Sequence, residues 1–256
     1  ALPISTDETF EKPYDKLVIA TGARPFIPPV PGTDLKGVTT LQSLKDADYL
    51  RKVRDEKRIQ RAVVVGGGLI GIETCEALAL AGIDITVVEM LPQIMMFLDW
   101  EMAKLVENHL RQHADVITDN QVVELIGEDG TLSAVRLQDG TELPSELAVI
   151  AVGVRPNGEL AAEAGLETGR RGGVLVNEYM QTSDPDIYAA GDCVEIEHLV
   201  THDNVAAPFG DLANLEGRVA GRNVVSPQNA RFPGTVLTGV CKVFDYTAGA
   251  TGLTEA

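Results

Sequence analysis

Residues 63–73 read VVVGGGLIGIE, and no other stretch limits the possible folds of this chain as tightly. Three spaced glycines, Gly66, Gly68 and Gly71, follow the apolar run Ala62 to Val65, a pattern that predicts a buried parallel strand turning sharply into a helix. Each glycine meets a separate demand. Gly66 permits the tight turn, Gly68 lets a pyrophosphate approach the backbone, and Gly71 lets helix and strand pack closely. The helix N-terminus, which begins with Leu69 and Ile70, then faces the phosphates. Its unpaired N–H groups and positive dipole end favour an anion without any cationic side chain. The alternative is a glycine turn kept only for its geometry.

A second strand, Ile83 to Glu89, ends in an acid 23 residues after Gly66, where a carboxylate can hydrogen-bond both ribose hydroxyls of an adenosine. That arrangement favours NAD(H). A 2′-phosphate would meet the charge of Glu89, and Met90, Leu91 and Pro92 supply no guanidinium to offset it, so NADP(H) is disfavoured.

The 256 residues suffice for one large or two ordinary domains with buried cores. No apolar stretch reaches the ~18 residues of a membrane span, and no basic-then-apolar leader opens the chain, so a soluble, cytoplasmic protein is expected. Lys plus Arg number 21 against 38 Asp plus Glu, and a net charge of −17 argues against nucleic acid and anionic membranes as partners. Cys75, Cys193 and Cys241 are too few and too far apart for a disulfide framework; each is read as a small packing residue. His109, His113, His198 and His202 are read as surface or satisfied histidines, and no metal is expected. Trp100 and the pair Met95-Met96 are read as core or interface filler. A chain opening on Ala1 and closing on TGLTEA, with its glycine fingerprint so late, is expected to be an internal fragment.

Along the chain, Lys16 to Ala20 is a predicted strand running into Thr21-Gly22, followed by a crossover rich in proline (Pro25, Pro28, Pro29, Pro31). Ser43 and Asp46 predict a capped helix through about Val53. Asp99 caps a predicted helix whose Met102, Leu105, Val106, His109 and Leu110 share a face. Gln121 to Ile126, Leu132 to Gln138 and Leu147 to Val152 read as a β-meander ending the nucleotide domain. Two more strands are expected within VLVNEYMQTSDPDIYAAGDC, and a helix over Asp211 to Val225.

Five segments together resemble the FAD-dependent pyridine nucleotide-disulfide oxidoreductases: YDKLVIATGARP (14–25), VVVGGGLIGIE, the stretch from Glu89 through LDWEMA (98–103), AVGVRPN (151–157) and TSDPDIYAAGDC (182–193). The resemblance implies an α/β fold in which a Rossmann-like NAD-binding domain is inserted into a partial FAD-binding domain of the same two-dinucleotide-binding type. It implies a first FAD segment over 1–30, the NAD(H) domain over 31–153, a second FAD segment over 154–233 and the start of a dimerisation domain over 234–256. Ala20, Thr21 and Gly22 would lie by the FAD phosphates, and Asp192, after Gly191, would hydrogen-bond the ribityl or pyrophosphate end. The helix from Asp211, with Leu212 and Ala213 in its first turn, would face the flavin's pyrimidine edge, where a positive dipole end stabilises anionic reduced flavin. Gly153 and Glu73 would lie near the nicotinamide. Leu69 stands where many relatives carry an aromatic that covers the flavin.

The C-terminal stretch HDNVAAPFGDLANLEGRVAGRNVV and the GTVLTGVCKVFDYTAGATGLTE after it resemble the branch of NADH oxidases, coenzyme A-disulfide reductases and persulfide reductases. The implied activity is hydride transfer from NAD(P)H to FAD, then on to a disulfide, persulfide or dioxygen, in a homodimer acting on a small-molecule or thiol/disulfide substrate. The first FAD fingerprint and the redox cysteine of the family fall before the segment matching Ala1, so no catalytic residue is assigned. The alternatives are a non-catalytic NAD(H)-binding module and an NADH-dependent reductase of a small iron-sulfur protein; the acidic composition argues against the latter.

Overall fold

A computed structural model describes residues 11–255; Ala1 to Phe10 and Ala256, which open the first expected FAD segment and close the last expected segment, lie outside the described residues. The chain forms two compact units. Among the described residues, the larger is made of 23–155, 198–202 and 235–255, and the smaller of 11–22 with 156–197 and 203–234. The main stretch of the larger unit is therefore an insertion between pieces of the smaller.

The larger unit is organised on a five-stranded sheet, in the order Val38–Thr39, Leu147–Ile150, Arg61–Val65, Asp84–Val88, Asp115–Ile117, with every neighbouring pair parallel. Its helices are α1 (Leu44–Glu56), α2 (Leu69–Leu80) and α3 (Trp100–Leu110). Because side chains alternate along a strand, the run Ala62 to Val65 serves two cores. Ala62 and Val64 pack with Ile72, Cys75 and Leu78 of α2 and Val106 and Leu110 of α3. Val63 and Val65 pack with Leu125, Val135 and Leu137 from a three-stranded antiparallel sheet (Val122–Glu128, Thr131–Leu137, Glu142–Pro144). Both faces of the parallel sheet are thus covered, which is why its strands read as continuous apolar runs.

The structure departs from the sequence pattern at three places. Leu147–Ile150 is not the last strand of a meander but an inner strand of the parallel sheet, between Val38–Thr39 and Arg61–Val65. All four of its residues are buried, so it lacks the polar alternation that marks a half-exposed strand. On α3, Met102 and Leu105 are 54% and 58% exposed; the inward face carries Ala103, Glu107 and the expected Val106, His109 and Leu110. Glu107 is tolerated there because Lys104 (2.7 Å) and Arg111 (2.9 Å) pair with it and hold its carboxyl below the ordinary range against the opposing effect of burial. Finally, Asp99 sits at the N-cap of α3 without a cap hydrogen bond; its Oδ1 accepts the N–H of Glu255 at 2.8 Å. The capping box of Ser43 and Asp46 on α1 forms as expected, and the helix runs on to Glu56.

A hairpin, Gly239–Val243 with Tyr246–Ala250, belongs to the larger unit. Its Cys241, Val243 and Ala248 join the core beneath α2 and α3. In the smaller unit, Leu17–Ile19 pairs in parallel with Ile187–Ala189, and Val174–Leu175, Val194–Glu197 and Asn204–Ala206 form a second sheet. That unit also holds the short helix α4 (Glu159–Glu163) and the long α5 (Gly210–Val225), which packs on the parallel pair. No helix among the described residues is long and apolar enough to cross a membrane.

Candidate functional site

The glycine turn lies at the carboxyl end of the central strand, where chain order departs in two directions: Asp84–Val88 follows on one side and Leu147–Ile150 returns on the other. Such a reversal opens a crevice, the usual ligand position in a parallel sheet. The glycines divide their work sterically. Gly66 has φ +109° and an added Cβ would lie 2.5 Å from the carbonyl oxygen of Ala151. At Gly71 a Cβ would lie 2.1 Å from the carbonyl oxygen of Gly66, so α2 approaches the strand closer than any side chain allows. Gly68, the N-cap of α2, has no atom within 4 Å of its Cβ position: the space over it is open. With no side-chain cap at Gly68, the first N–H groups of α2 are left for a ligand.

Glu89 directly follows its strand and is tied to the same turn. Its Oε2 accepts the N–H of Gly67 at 2.7 Å and its Oε1 that of Leu91 at 2.9 Å. Each carboxylate oxygen keeps a further lone pair. The turn thereby presents a fixed negative group beside the open glycine. Of the other nucleotide-side residues, Ile70, Glu73 and Gly153 are exposed, Leu69 is half-buried, and Gly153 has φ +104° with nothing within 4 Å of its Cβ position. All seven expected residues of this side, Gly66, Gly68, Leu69, Ile70, Gly71, Glu73 and Glu89, fall in the larger unit with Gly153.

The remaining expected residues fall in the smaller unit, at the carboxyl ends of its parallel pair. Thr21 donates through Oγ1 to the carbonyl of Asn157 (2.6 Å), Asn157 Nδ2 donates back to the Thr21 carbonyl (2.9 Å), and the Asn157 N–H reaches the Gly22 carbonyl (2.9 Å). This clamp holds Gly22 at φ +68° with open space over it. Gly191, at φ +85°, donates its N–H to Glu216 of α5 at 2.7 Å, and a Cβ on Gly191 would lie 3.7 Å from Ala213. Ala213 and Leu212 occupy the first turn of α5, half-buried.

Glu216 was not among the expected residues. It is 1% exposed, and burial drives its carboxyl up to about 7; the Gly191 N–H opposes that shift and the charge of Asp192 adds to it. Burial also raises the Asp192 carboxyl. The signal available in the sequence was a spacing: Leu212, Glu216, Ala220 and Asn223 follow the helical stripe that α5 turns inward. Asn157 was likewise missed. The cysteines Cys75, Cys193 and Cys241 are all buried and free, and burial pushes the thiols of Cys75 and Cys241 up to about 12, so neither holds a thiolate at neutral pH.

A family model described as pyridine nucleotide-disulphide oxidoreductase matches residues 3–207. A NADH oxidase of Methanocaldococcus jannaschii is 41% identical over 246 residues, 96% of this chain and 54% of that protein. A CoA-dependent NAD(P)H sulfur oxidoreductase of Pyrococcus abyssi is 38% identical over 96% of this chain and 55% of its own length. Among solved structures, a NAD-dependent persulfide reductase from A. fulgidus superimposes with TM-score 0.91 at 45% identity, covering 94% of this chain and 44% of that one. The chain spans about half the length of the curated relatives it matches.

Proposed function

The chain belongs to the pyridine nucleotide-disulphide oxidoreductase family, and we propose that it carries the NADH site and part of the FAD site of a flavoprotein that passes hydride from NADH to FAD and on to a disulfide, persulfide or dioxygen. One observation carries this reading: the open backbone at Gly68, fixed beside the carboxylate of Glu89, is the shape and charge that a pyrophosphate and a free ribose require. The names of the relatives, a NADH oxidase and two sulfur or persulfide reductases, support the same reaction class.

In this mechanism Gly68 and the first N–H groups of α2 bind the NADH pyrophosphate, while Glu89 orients the ribose and excludes a 2′-phosphate. Gly153 and Glu73 border the nicotinamide. In the smaller unit, Ala20, Thr21 and Gly22, clamped by Asn157, offer backbone to the FAD phosphates, and Asp192 with Gly191 holds the ribityl or pyrophosphate end. The first turn of α5, at Leu212 and Ala213, would turn its positive dipole end toward the charge of a reduced flavin. The flavin, when bound, supplies the acceptance of hydride and its onward transfer. The same reading includes a homodimer, a thiol/disulfide or other small-molecule acceptor, and a cytoplasmic location. The domain limits of 31–153 for the NAD(H) domain, 1–30 and 154–233 for the FAD domain and 234–256 for a dimerisation segment are part of the proposal.

The test is to supply the protein with FAD, remove unbound flavin and add NADH without oxygen, watching the visible flavin band. Bleaching of that band is the expected result. A protein that binds NADH and never takes up or reduces flavin would limit this chain to nucleotide binding.

A further inference from the structure

We propose that His109, His113 and Asp245 form a site for a divalent first-row transition ion of the zinc type, separate from the glycine turn. One ligand atom from each of the three lies within 4.8 Å of the other two. His109 is the last-turn histidine of α3, His113 follows it by four residues, and Asp245 arrives from the tip of the 239–250 hairpin. Spacing along the chain argued against metal because the third ligand comes from a segment remote in sequence.

The nitrogen at the centre of the cluster has an unmet need. His109 is 6% exposed, and its Nε2 is buried without a hydrogen-bond partner. The Asp245 carboxylate lies 2.8 Å from it but not in hydrogen-bonding geometry. An imidazole nitrogen and a carboxylate this close, with no hydrogen bond joining them, are two ligand-type atoms that a shared cation would satisfy. A buried polar atom left unsatisfied in this way is destabilising.

Both rings are already oriented. Tyr246 stacks on His109 with centroids 3.8 Å apart and an interplanar angle of 1°, and Phe244 stacks on His113 at 3.8 Å and 13°. The two aromatics flank Asp245 at the hairpin tip, so one turn positions every member of the ligand set. That is the support a metal site needs around its ligands. The cluster lines an open depression of about 610 Å³, in which Lys242 and Glu76 neutralise each other at 2.6 Å.

Two imidazoles and one carboxylate suit Zn²⁺, Co²⁺ or Ni²⁺ and not the hard ions Mg²⁺ and Ca²⁺, which take oxygen ligands. With Zn–N bonds of about 2.0–2.1 Å, tetrahedral ligand atoms stand roughly 3.3 Å apart. Asp245, whose side chain is 82% exposed, and the exposed His113 are free to close that difference by rotation. The fourth position is left to water. The ion would fasten the hairpin to the end of α3.

The experiment titrates the chelator-stripped protein with Zn²⁺, and with Co²⁺ for its visible spectrum, alongside His113→Ala and Asp245→Asn. Both substitutions are at the surface and leave the core intact. The expected result is one ion per chain with a tetrahedral Co²⁺ spectrum, weakened at least about tenfold by either substitution. Zn²⁺ should raise the melting temperature of the parent and not of the variants, and NADH affinity should be the same in all three. Binding that is absent up to roughly 100 μM Zn²⁺, or that is equal in parent and variants, overturns the assignment.

Discussion

The two units build their candidate sites in the same way, at the carboxyl ends of parallel strands, but on supports of very different completeness. In the larger unit five parallel strands are covered on both faces, and Val63, Val64, Val87 and Val149 are each no more than 2% exposed. Among the described residues, the parallel sheet of the smaller unit is a pair of three-residue strands, and Leu17 and Val18, which point to opposite faces, are 37% and 41% exposed. Parallel sheets depend on cover over both faces. The glycine turn of the larger unit is therefore backed by cover on both faces of its sheet, whereas the clamp of Thr21, Gly22 and Asn157 rests on a described strand pair with open apolar surface. Nucleotide affinity should therefore outlast flavin affinity when the two are measured on this chain.

The harshest way to break the larger unit's advantage is Gly71→Ala. Its methyl group would meet the Gly66 carbonyl oxygen at 2.1 Å. The expected cost is about 3 kcal/mol of unfolding free energy, together with loss of NADH binding, read by urea unfolding and by titration. Next comes Glu89→Ala, which deprives the N–H groups of Gly67 and Leu91 of their acceptor. NADH binding should weaken by about 2–3 kcal/mol, roughly 30- to 150-fold; a variant that still binds NADH like the parent removes Glu89 from the site.

The smaller unit is probed by pH. Glu216 has its folded carboxyl at about 7 against an ordinary 4.5, so the folded state holds a proton that the unfolded state gives up in between. The contribution of this one group to stability is therefore full below about pH 4.5 and is lost as pH rises toward 7. Glu216→Gln removes this fall. The variant should exceed the parent by about 2 kcal/mol at pH 8 and match it near pH 4, measured by denaturant unfolding at both values. Equal stability at pH 8 would mean that burial costs the carboxylate nothing. Gly68→Ala has the smallest effect on the fold, because nothing lies within 4 Å of the new methyl group. Unfolding should change by only a few tenths of a kcal/mol, while NADH binding weakens about tenfold. If binding were unchanged, the pyrophosphate would not pass over Gly68.

These residues also mark what could be read directly from the chain. The tight turn at Gly66, the open backbone at Gly68 and the close packing at Gly71 were legible because each is a local steric feature written at a fixed spacing. The continuation of α1 past its capping box and the strand before Glu89 were legible for the same reason. Leu147–Ile150 was misplaced because a strand buried on both faces carries no alternation to distinguish its sheet. Met102 and Leu105 misled because α3 turns inward a stripe containing Glu107, an acid neutralised by Lys104 and Arg111 beside it. Glu216 and His109 were illegible in another sense: their partners, Gly191 and Asp245, are 25 and 136 residues away, and only folding brings them into contact.

The central claim is that the larger unit holds a working NADH site that does not wait for flavin. Calorimetric titration of the purified, flavin-free chain with NADH and then NADPH tests it directly. The account predicts saturable binding of one NADH per chain, with NADPH weaker. A folded chain that binds neither nucleotide, or that prefers NADPH, contradicts it.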